Sequence, residues 1–442
     1  MLYDVVIIGS GFGGLACGRL LSQAGLRVVV LERHWQPGGC LQSYKRHGLT
    51  FDTGFHYVGG LAEGQKLHAV FSQLGLMALP WHRLDADGFD RITIGSHEYV
   101  FAEGYTHFIE RLSDDFPHQR VALQQYVDML RRMADAQGDT LTDGMATNAY
   151  DWLTATFSNP LLVDVLAGSC LKTELCRESL PLMAFAHSQD SYIQSSWRLR
   201  GDGGLIADTL VEGIRQKGGE VVCKAEVTAL ETSDGQLSAA RCSNGERYEG
   251  RWFVSDIHPS LLFPLVGDTP VLRPLFRRRM AQLANTYGMY TLSLVLKAAT
   301  LPYFNHNKFV YGEGGVWNAP TSKLMVSCRV PDDGGDYAQI VDLLTPCQGD
   351  PLPLAETVIP GLRDMVSEQY ASSPQTWQHF TGTPGGSAYG VRKDCRYPLL
   401  TMLSVQTPLP NLLLTGQNVM LHGLEGVAMT ALETTKQIIA RC

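Results

Sequence analysis

The sequence predicts an α/β fold in which a parallel sheet flanked by helices is joined to a second, α+β domain. The first observation is an apolar strand at residues 3–8 that runs directly into a glycine-rich turn and then a helix. The second is the same order of strand, glycine turn and helix near the C-terminus, from residue 411 onward. The third is the length of 442 residues, which exceeds what one hydrophobic core usually supports and therefore predicts two domains.

The first glycine turn, residues 9–14, has the spacing G-x-G-x-x-G. Gly9 lets the chain turn sharply, Gly11 lets a pyrophosphate approach the backbone, and Gly14 lets the helix pack close to the strand. Phosphates would then lie at the helix N-terminus, where free N–H groups and the helix dipole favour anions. This context predicts a dinucleotide site that also involves Phe12 and Gly13.

A second strand, residues 27–31, ends at the acidic residue Glu32, which follows Gly9 by 23 residues. At this distance a carboxylate can accept hydrogen bonds from both ribose hydroxyls and would repel a 2′-phosphate. The site therefore disfavours NADP.

A second glycine loop follows Glu32. Arg33 leads to Gly38 and Gly39, then to Ser43, and the stretch 51–54 lies a little beyond. A nicotinamide dehydrogenase does not need this loop. FAD does, because it places a flavin beyond its pyrophosphate and needs more backbone to approach the ribityl chain, so the sequence favours FAD.

Between the two glycine turns, local patterns predict the remaining elements. Alternating residues predict a hairpin over 91–101 and strands over 226–230 and 291–296. Apolar residues at helical spacing predict helices over 105–112, 117–136 and 205–217, and an unusually apolar helical region over 151–190.

These stretches resemble the FAD-dependent phytoene desaturase, carotenoid isomerase and retinol saturase family within the flavin amine oxidase superfamily. The resemblance is carried by residues 9–32, 32–39, 52–54 with His56, and the C-terminal block. It implies a Rossmann-type FAD-binding domain with a discontinuous α+β substrate-binding domain. The expected FAD-binding domain comprises residues 1–75, 195–263 and 385–442, and the substrate-binding domain comprises residues 76–194 and 264–384.

The resemblance also implies which residues bind FAD. Val227 matches the position whose backbone meets the adenine, and the helix that begins near Gly423 points its N-terminus at the flavin, with Gly426 and Val427 near the N1/C2 carbonyl. The full expected set is Gly9, Gly11, Phe12, Gly13, Gly14, Glu32, Arg33, Gly38, Gly39, Ser43, Val227, Asp256, Gly416, Gln417, Glu425, Gly426 and Val427. Because no residue suited to a flavin linkage is evident, we expect FAD to be bound non-covalently.

Composition excludes several other classes of protein. The net charge of −8 argues against a nucleic-acid partner, which would require a basic surface. The ten cysteines show no C-x-x-C pair and predict neither a disulfide framework nor a zinc site, which indicates a reducing compartment. No metal-ligand spacing occurs, so no metal site is predicted.

The first strand begins close to the N-terminus, and no stretch reaches the roughly 18 uninterrupted apolar residues that a membrane span needs. We therefore expect a cytoplasmic protein that is soluble or peripheral to a membrane. If an apolar substrate enters from a bilayer, residues 160–171 are the best candidate for a membrane-dipping edge. A buried core helix is the other interpretation of this segment.

Because the flavin would supply the chemistry, the protein has to supply an apolar cavity and at most one proton donor or acceptor. The candidates are His56, Tyr57, Tyr389, His422 and Glu425, since each lies in a motif that the fold should bring to the flavin. Of these, Tyr389 and His56 are the expected catalytic residues, because a buried Tyr or His can deliver a proton with little movement. No second G-x-G-x-x-G follows a strand, so electrons would be exchanged with a mobile donor or acceptor.

The resulting hypothesis is an FAD-dependent oxidoreductase that acts on C=C or C–C bonds of an apolar polyene or isoprenoid-like substrate. It would act as a saturase, desaturase or isomerase by hydride transfer with flavin N5. One alternative is a flavin amine or amino-acid oxidase, for which Tyr389 could supply one member of an aromatic pair. Another is a non-enzymatic prenyl-chain binder of the same fold, which the complete FAD fingerprint disfavours.

Overall fold

The computed structural model describes residues 2–312, 315–317, 322–346 and 349–442. Its strands, in chain order, are β1 Leu2–Ile8, β2 Val28–Leu31, β3 Ser43–Arg46, β4 Leu49–Asp52, β5 Val58–Gly59, β6 Trp81–Arg83, β7 Asp90–Ile94, β8 His97–Phe101, β9 Ser196–Leu199, β10 Glu220–Val222, β11 Val227–Ser233, β12 Gln236–Cys242, β13 Arg247–Ser255, β14 Tyr290–Leu296, β15 Asn307–Tyr311, β16 Lys323–Cys328, β17 Ile340–Thr345, β18 Val366–Ser372 and β19 Leu412–Leu414.

The α-helices are α1 Phe12–Gln23, α2 Lys66–Leu74, α3 Tyr105–Asp115, α4 Arg120–Ala134, α5 Gly138–Ala146, α6 Ala149–Thr156, α7 Pro160–Ala167, α8 Leu182–Gln194, α9 Gly204–Gln216, α10 Pro259–Leu265, α11 Pro274–Ala281, α12 Leu352–Glu356, α13 Leu362–Met365, α14 Pro374–Thr381, α15 Pro398–Thr401 and α16 Gly423–Ile439. Short 3₁₀ helices lie at Gly39–Leu41, Leu76–Ala78, Pro117–Gln119, Cys170–Lys172 and Pro384–Gly386.

The first large sheet contains both glycine turns at one edge. Its strands lie in the order β10-β2-β1-β13-β12-β11, and β19 pairs with β13. Strands β10, β2, β1, β13 and β19 are mutually parallel, so their carboxyl ends meet at the same edge. Gly9, Glu32, Asp256 and Thr415 therefore follow their strands at neighbouring positions, where open α/β sheets bind ligands.

Both faces of the sheet are buried, which explains why the sequences of these strands are continuously apolar. Val5 and Ile7 of β1 pack in one cluster with α1, α9 and α16, whereas Val6 and Ile8 face a second cluster that includes α10. A Cβ atom at Gly14 would overlap the carbonyl oxygen of Gly9, so the close packing of helix on strand requires glycine there.

The second large sheet has the order β18-β14-β17-β16-β15-β7-β8 and is antiparallel except for the β15–β7 pair. One face contributes Phe309, Met325 and Leu344 to a cluster with α3, α4, α7 and α8. The opposite face contributes Leu292 and Leu294 to a cluster with α12 and α13. The predicted hairpin is confirmed as β7 and β8.

The architecture confirms the predicted fold class, a Rossmann-type α/β domain with a discontinuous α+β part. The first sheet takes its strands from residues 2–31, 220–255 and 412–414, and the second takes them from residues 90–101 and 290–372. The division of the chain at the predicted domain boundaries stays a prediction.

Within residues 160–171, helix α7 ends at Ala167, and most of its apolar side chains lie in the core, although Leu161 is 37% exposed. Leu162, Val163, Val165, Leu166 and Ala167 of α7 are at most 2% exposed, because they pack against the core of the second sheet. No helix among the described residues combines the length and hydropathy that crossing a bilayer requires.

Candidate functional site

A single cavity of 530 Å³ extends from the glycine-turn edge of the first sheet to the inner face of the second. At its first end the walls include both glycine loops and the start of β11. At its other end the walls are mainly apolar and aromatic: Tyr57, Leu171, Lys172, Tyr192, Met289, Thr291, Met325, Leu344, Ala388, Tyr389 and Leu424.

Most of the predicted site residues lie in the walls of this cavity. Those residues are Gly9, Gly11, Phe12, Gly13, Glu32, Arg33, Gly38, Gly39, Val227, Asp256, Gln417 and Val427, together with His56, Tyr57 and Tyr389. Five predicted cofactor residues, Gly14, Ser43, Gly416, Glu425 and Gly426, are absent from the walls, as is His422. The role of each residue in cofactor binding stays a prediction.

Asp256 lies at the centre of the glycine turn. Its carboxylate accepts hydrogen bonds from the backbone N–H groups of Gly14 and Gly11, and burial raises its pKa to about 7. Cβ atoms at Gly11, Gly13 and Gly416 would all overlap this carboxylate. The glycines are therefore required by the neighbouring side chain as well as by the phosphates that the sequence predicts here.

Glu32 ends β2 beside the same turn and is 8% exposed. One carboxylate oxygen accepts hydrogen bonds from the backbone N–H of Ser10, at 3.1 Å, and from its hydroxyl group. The other accepts from the backbone N–H of His34 at 2.8 Å. These contacts fix the carboxylate in the cavity wall, at the place where the sequence predicts the ribose.

The cavity fits an FAD molecule. Helix α1 begins after Gly11, and Asp256 accepts hydrogen bonds from the N–H groups of Gly11 and Gly14, so those of Phe12 and Gly13 are the N–H groups that would bind a phosphate. A Cβ atom at Gly39 would lie 3.1 Å from the Cα atom of Gly11, so the two glycine loops approach each other as a cofactor cradle requires. The continuation of the cavity beyond this cradle leaves space for a flavin.

Helix α14 covers the outer side of the cradle. Trp377, Phe380 and Thr381 line the cavity, and the Arg33 side chain donates a hydrogen bond of 2.6 Å to the carbonyl oxygen of His379. The rings of His34 and Phe380 lie 5.1 Å apart. The sequence did not indicate that this helix contributes to the site, because its residues lie far from both glycine motifs in the chain.

The start of α16 reaches the cavity through Gly423, Leu424 and Val427. The predicted contact of Gly426 with the flavin edge stays a prediction, but the structure gives glycine at this position another reason. A Cβ atom there would lie 2.6 Å from the carbonyl oxygen of Leu421, so the space is filled by the chain itself.

The two predicted catalytic residues line the cavity, and burial favours the neutral form of both side chains. Burial, with Arg198 nearby, lowers the pKa of His56 to about 4, so its imidazole is neutral near pH 7. Its Nε2 atom has no hydrogen-bond partner among the described residues. Burial raises the pKa of Tyr389, which keeps this phenol protonated.

Lys172 is a cavity residue that the sequence analysis missed. Its ammonium nitrogen lies 3.3 Å from Asp90 Oδ2 and 3.9 Å from the centre of the Tyr192 ring. Tyr57 donates to the same carboxylate oxygen at 2.9 Å. No motif connects these residues in the sequence, because the fold brings them together from β7, the residue before β5, a 3₁₀ helix and α8.

Known proteins share this fold and parts of this sequence. A family model described as an NAD(P)-binding Rossmann-like domain matches residues 7–74. All-trans-retinol 13,14-reductase from Homo sapiens is 25% identical, with 99% of this chain and 86% of that protein covered. Prolycopene isomerase from Daucus carota is 23% identical, with 58% of this chain and 46% of that protein covered.

Among solved structures, putrescine oxidase bound to putrescine has a TM-score of 0.72 at 16% identity, with 100% of both chains covered. A CLA-producing fatty acid isomerase from P. acnes has a TM-score of 0.65 at 14% identity, with 98% of both chains covered. At these identities the structural likeness shows the fold alone.

The dinucleotide cradle, the cavity beyond it and the relatives agree with one another. They indicate a dinucleotide cofactor and an enzyme of the oxidoreductase class. The retinol reductase and prolycopene isomerase relatives fit the FAD-dependent phytoene desaturase, carotenoid isomerase and retinol saturase family that the sequence motifs resemble.

Proposed function

We propose that the protein oxidises, reduces or isomerises C=C or C–C bonds of an apolar polyene or isoprenoid-like substrate. The observation that carries this proposal is the continuity of the cavity, in which the cradle opens into an end walled by Leu171, Met289, Met325 and Leu344. Such walls bind an extended hydrocarbon by excluding water from it. The names of the relatives, a retinol reductase and a prolycopene isomerase, support the same class of substrate.

The chain supplies binding, orientation and protons. The turn at Gly9–Gly13 would hold the pyrophosphate, Glu32 the ribose and Val227 the adenine, with the start of α16 at the flavin. When bound, the flavin supplies hydride exchange at its N5 atom. Tyr389 holds a proton on its phenol oxygen, and neutral His56 can accept or donate a hydrogen bond at Nε2.

We further propose that FAD is bound non-covalently. Cys40 lines the cavity, and burial raises its pKa to about 11, which makes its thiol a poor nucleophile. Heating or acid treatment should therefore release intact FAD into the supernatant. Flavin absorbance that stays with the precipitated protein would contradict non-covalent binding.

The expected partners are an apolar small molecule and a mobile electron carrier. The sequence has no second G-x-G-x-x-G after a strand, which supports a separate donor or acceptor over a resident nicotinamide. The net charge of −8 is unsuited to nucleic acid.

The test is anaerobic photoreduction of the FAD-loaded protein followed by addition of retinoids, carotenoids or polyenoic acids. Reoxidation of the flavin, with a product shortened in conjugation, identifies a saturase. A changed double-bond geometry without net flavin oxidation identifies an isomerase. For desaturation, the oxidised protein is mixed with the more saturated compound and flavin bleaching is followed.

An amine or amino-acid oxidase is distinguished by hydrogen peroxide release in air. Polyamines, aryl amines and amino acids are the probes, and we expect no release above the rate of the protein without substrate. Peroxide release from an amine, together with no response to any polyene, would replace the proposed function.

A further inference from the structure

We infer that Lys172 orients the substrate by donating a hydrogen bond to an oxygen atom that the polyene carries. The inference rests on the proposed function and narrows it, from polyenes in general to polyenes with an alcohol, aldehyde or carboxylate oxygen. Lys172 is thus a specificity-determining residue that selects oxygenated substrates over hydrocarbons.

Lys172 is held in place from two directions. It ends the 3₁₀ helix Cys170–Lys172, and its backbone carbonyl oxygen lies 2.9 Å from Nε2 of His422, the residue before α16. Its side chain is 10% exposed, lines the cavity, and is held at its ammonium nitrogen by Asp90, whose Oδ2 atom lies 3.3 Å away. The ammonium group therefore has a fixed position in the cavity wall, close to the start of α16.

Asp90 fixes the ammonium group, and its carboxylate is already hydrogen-bonded to other residues of the protein. Its carboxylate accepts hydrogen bonds from the Tyr57 hydroxyl and the Asn307 amide, each at 2.9 Å, in addition to Lys172. Its side chain is 0% exposed. Asp90 therefore compensates the charge of Lys172 without being available to a substrate.

The ammonium group of Lys172 keeps unused hydrogen-bond donors. It carries three N–H bonds, and Asp90 is its hydrogen-bond acceptor in the described part of the chain. The Tyr192 and Tyr57 ring centres lie 3.9 and 5.3 Å from Nζ and attract the charge, but they are not oxygen acceptors. A pure hydrocarbon would cover these donors and leave them unsatisfied, which is costly in a buried site.

Two further polar atoms in the cavity wall point to the same kind of ligand. Thr291, which is 3% exposed, has a buried hydroxyl without a partner among the described residues, and His56 Nε2 is in the same situation. Both residues line the cavity together with Lys172. An otherwise apolar wall that retains such atoms fits a substrate with an oxygen better than one without.

The experiment compares three probes that share one polyene chain: all-trans-retinoic acid, all-trans-retinol and the hydrocarbon axerophthene. Their dissociation constants are measured by tryptophan fluorescence quenching on the FAD-loaded, oxidised protein. The variants are Lys172→Met, which removes the donors, and Lys172→Arg, which retains them. The matched control is Lys308→Met, since Lys308 also pairs with a carboxylate, Glu98 at 3.7 Å, and is 14% exposed but lies outside the cavity wall.

We expect Lys172→Met to weaken binding of the acid and the alcohol at least tenfold, which corresponds to about 1.4 kcal/mol, and to change hydrocarbon binding less than twofold. Lys172→Arg should retain part of the preference for the two oxygenated probes over the hydrocarbon. Lys308→Met should leave the dissociation constants of all three probes unchanged. The comparison of retinoic acid with retinol shows whether a carboxylate or a hydroxyl group binds more tightly. FAD content and melting temperature verify that each variant is folded.

Two different failures are distinguishable. If the wild type binds the probes but Lys172→Met weakens all three equally, or none, then Lys172 does not recognise oxygen and this inference alone is wrong. If the wild type binds none of the three probes and none reoxidises the reduced flavin, the proposed function fails and this inference fails with it.

Discussion

At the level of single residues, buried carboxylates define the geometry around the cofactor cradle. Asp256 fills the space beside three glycines, and Asp52 accepts a hydrogen bond of 2.6 Å from the backbone N–H of Gly203. Burial raises the pKa of Asp52 to about 7, and that of Asp342 to about 6. Asp256 and Asp52 tie glycine-rich loops to strands that come from distant parts of the chain, whereas Asp342 accepts a hydrogen bond from Ser293 of the neighbouring strand.

Asp52→Asn should become more stabilising as the pH rises. In the unfolded chain an aspartate has a pKa of roughly 3.9, so the wild type loses stability between about pH 4 and pH 7, where the unfolded carboxylate has already released its proton and the folded one has not. The amide keeps an acceptor for Gly203 and does not ionise. Relative to wild type, the variant should gain at least ~1.4 kcal/mol of unfolding free energy between pH 5 and pH 8.

Urea unfolding of the flavin-free proteins at both pH values measures this difference. Asp87→Asn is the control, because the Asp87 side chain is 95% exposed. A difference between Asp52→Asn and wild type that is the same at pH 5 and pH 8 would show that the pKa of Asp52 is not raised.

The sequence predicted residues that belong to a local pattern, and it missed those whose role arises only in the folded chain. Gly9 and Glu32 follow from strands and turns that are visible in short windows, Val227 is implied by the family resemblance, and all three line the cavity. Lys172 belongs to no such pattern, because its partner Asp90 is on another strand. For the same reason, the crowding of Gly11 by Asp256 could not be predicted from the glycine motif itself.

At the level of secondary structure, the terminal motifs were predicted most completely. The predicted helix from Gly423 to Ile439 is α16, and the predicted short strand lies at β19. The sequence pattern did not show why glycine is required at each of its positions in α16. Gly423 has a φ of +75° with open space around it, whereas Gly426 is enclosed by the backbone of Leu421.

Gly426→Ala should therefore destabilise the flavin-free protein more than Gly423→Ala does. We expect a loss of roughly 1–2 kcal/mol for Gly423→Ala, which places a Cβ in the left-handed region, and a larger loss for Gly426→Ala, because its Cβ would overlap main-chain atoms. Thermal unfolding of apoprotein measures both values. If Gly426→Ala apoprotein is as stable as wild type and only FAD affinity falls, contact with the flavin explains this glycine after all.

At the level of the whole molecule, the motifs predicted the fold class but not the pairing within the second sheet. Strand β7 pairs with β15 and β14 pairs with β18, so neighbours in this sheet are widely separated in the sequence. Alternating apolar residues indicate a strand but do not identify the strand with which it pairs. The exposed surface was likewise not predictable, because the sequence left open whether residues 160–171 form a core helix or a membrane-dipping edge, and only the structure shows that the apolar residues of α7 lie in the core.

The surface that we expect to meet a membrane instead joins α11 and α15. Leu275 and Leu399 are 76% and 79% exposed, and Arg279 of α11 donates a hydrogen bond of 2.8 Å to the carbonyl oxygen of Leu399. Exposed Arg273 and Arg278 lie on the same short helical segment. Apolar side chains beside arginines suit an anionic lipid surface, although the whole chain carries a net charge of −8.

Flotation with vesicles tests this prediction. The protein should float with phosphatidylcholine vesicles that contain anionic phosphatidylserine and should not float with phosphatidylcholine alone. A double Leu275→Glu, Leu399→Glu variant should lose most of the association. Val121→Glu is the control, since Val121 of α4 is 75% exposed elsewhere on the molecule. Equal flotation of the double variant and the control would show that another surface is used.

The pairing of β19 with β13, and the packing of α16 against α1, also set the time at which the cofactor site can form during synthesis. The glycine turn at residues 9–14 leaves the ribosome early, but Gln417 and Val427 of its cavity are synthesised much later. Contacts between such distant parts of a chain form slowly. FAD therefore meets its complete binding site only after α16 has been synthesised, and a chain that stops before β19 should be unable to retain it.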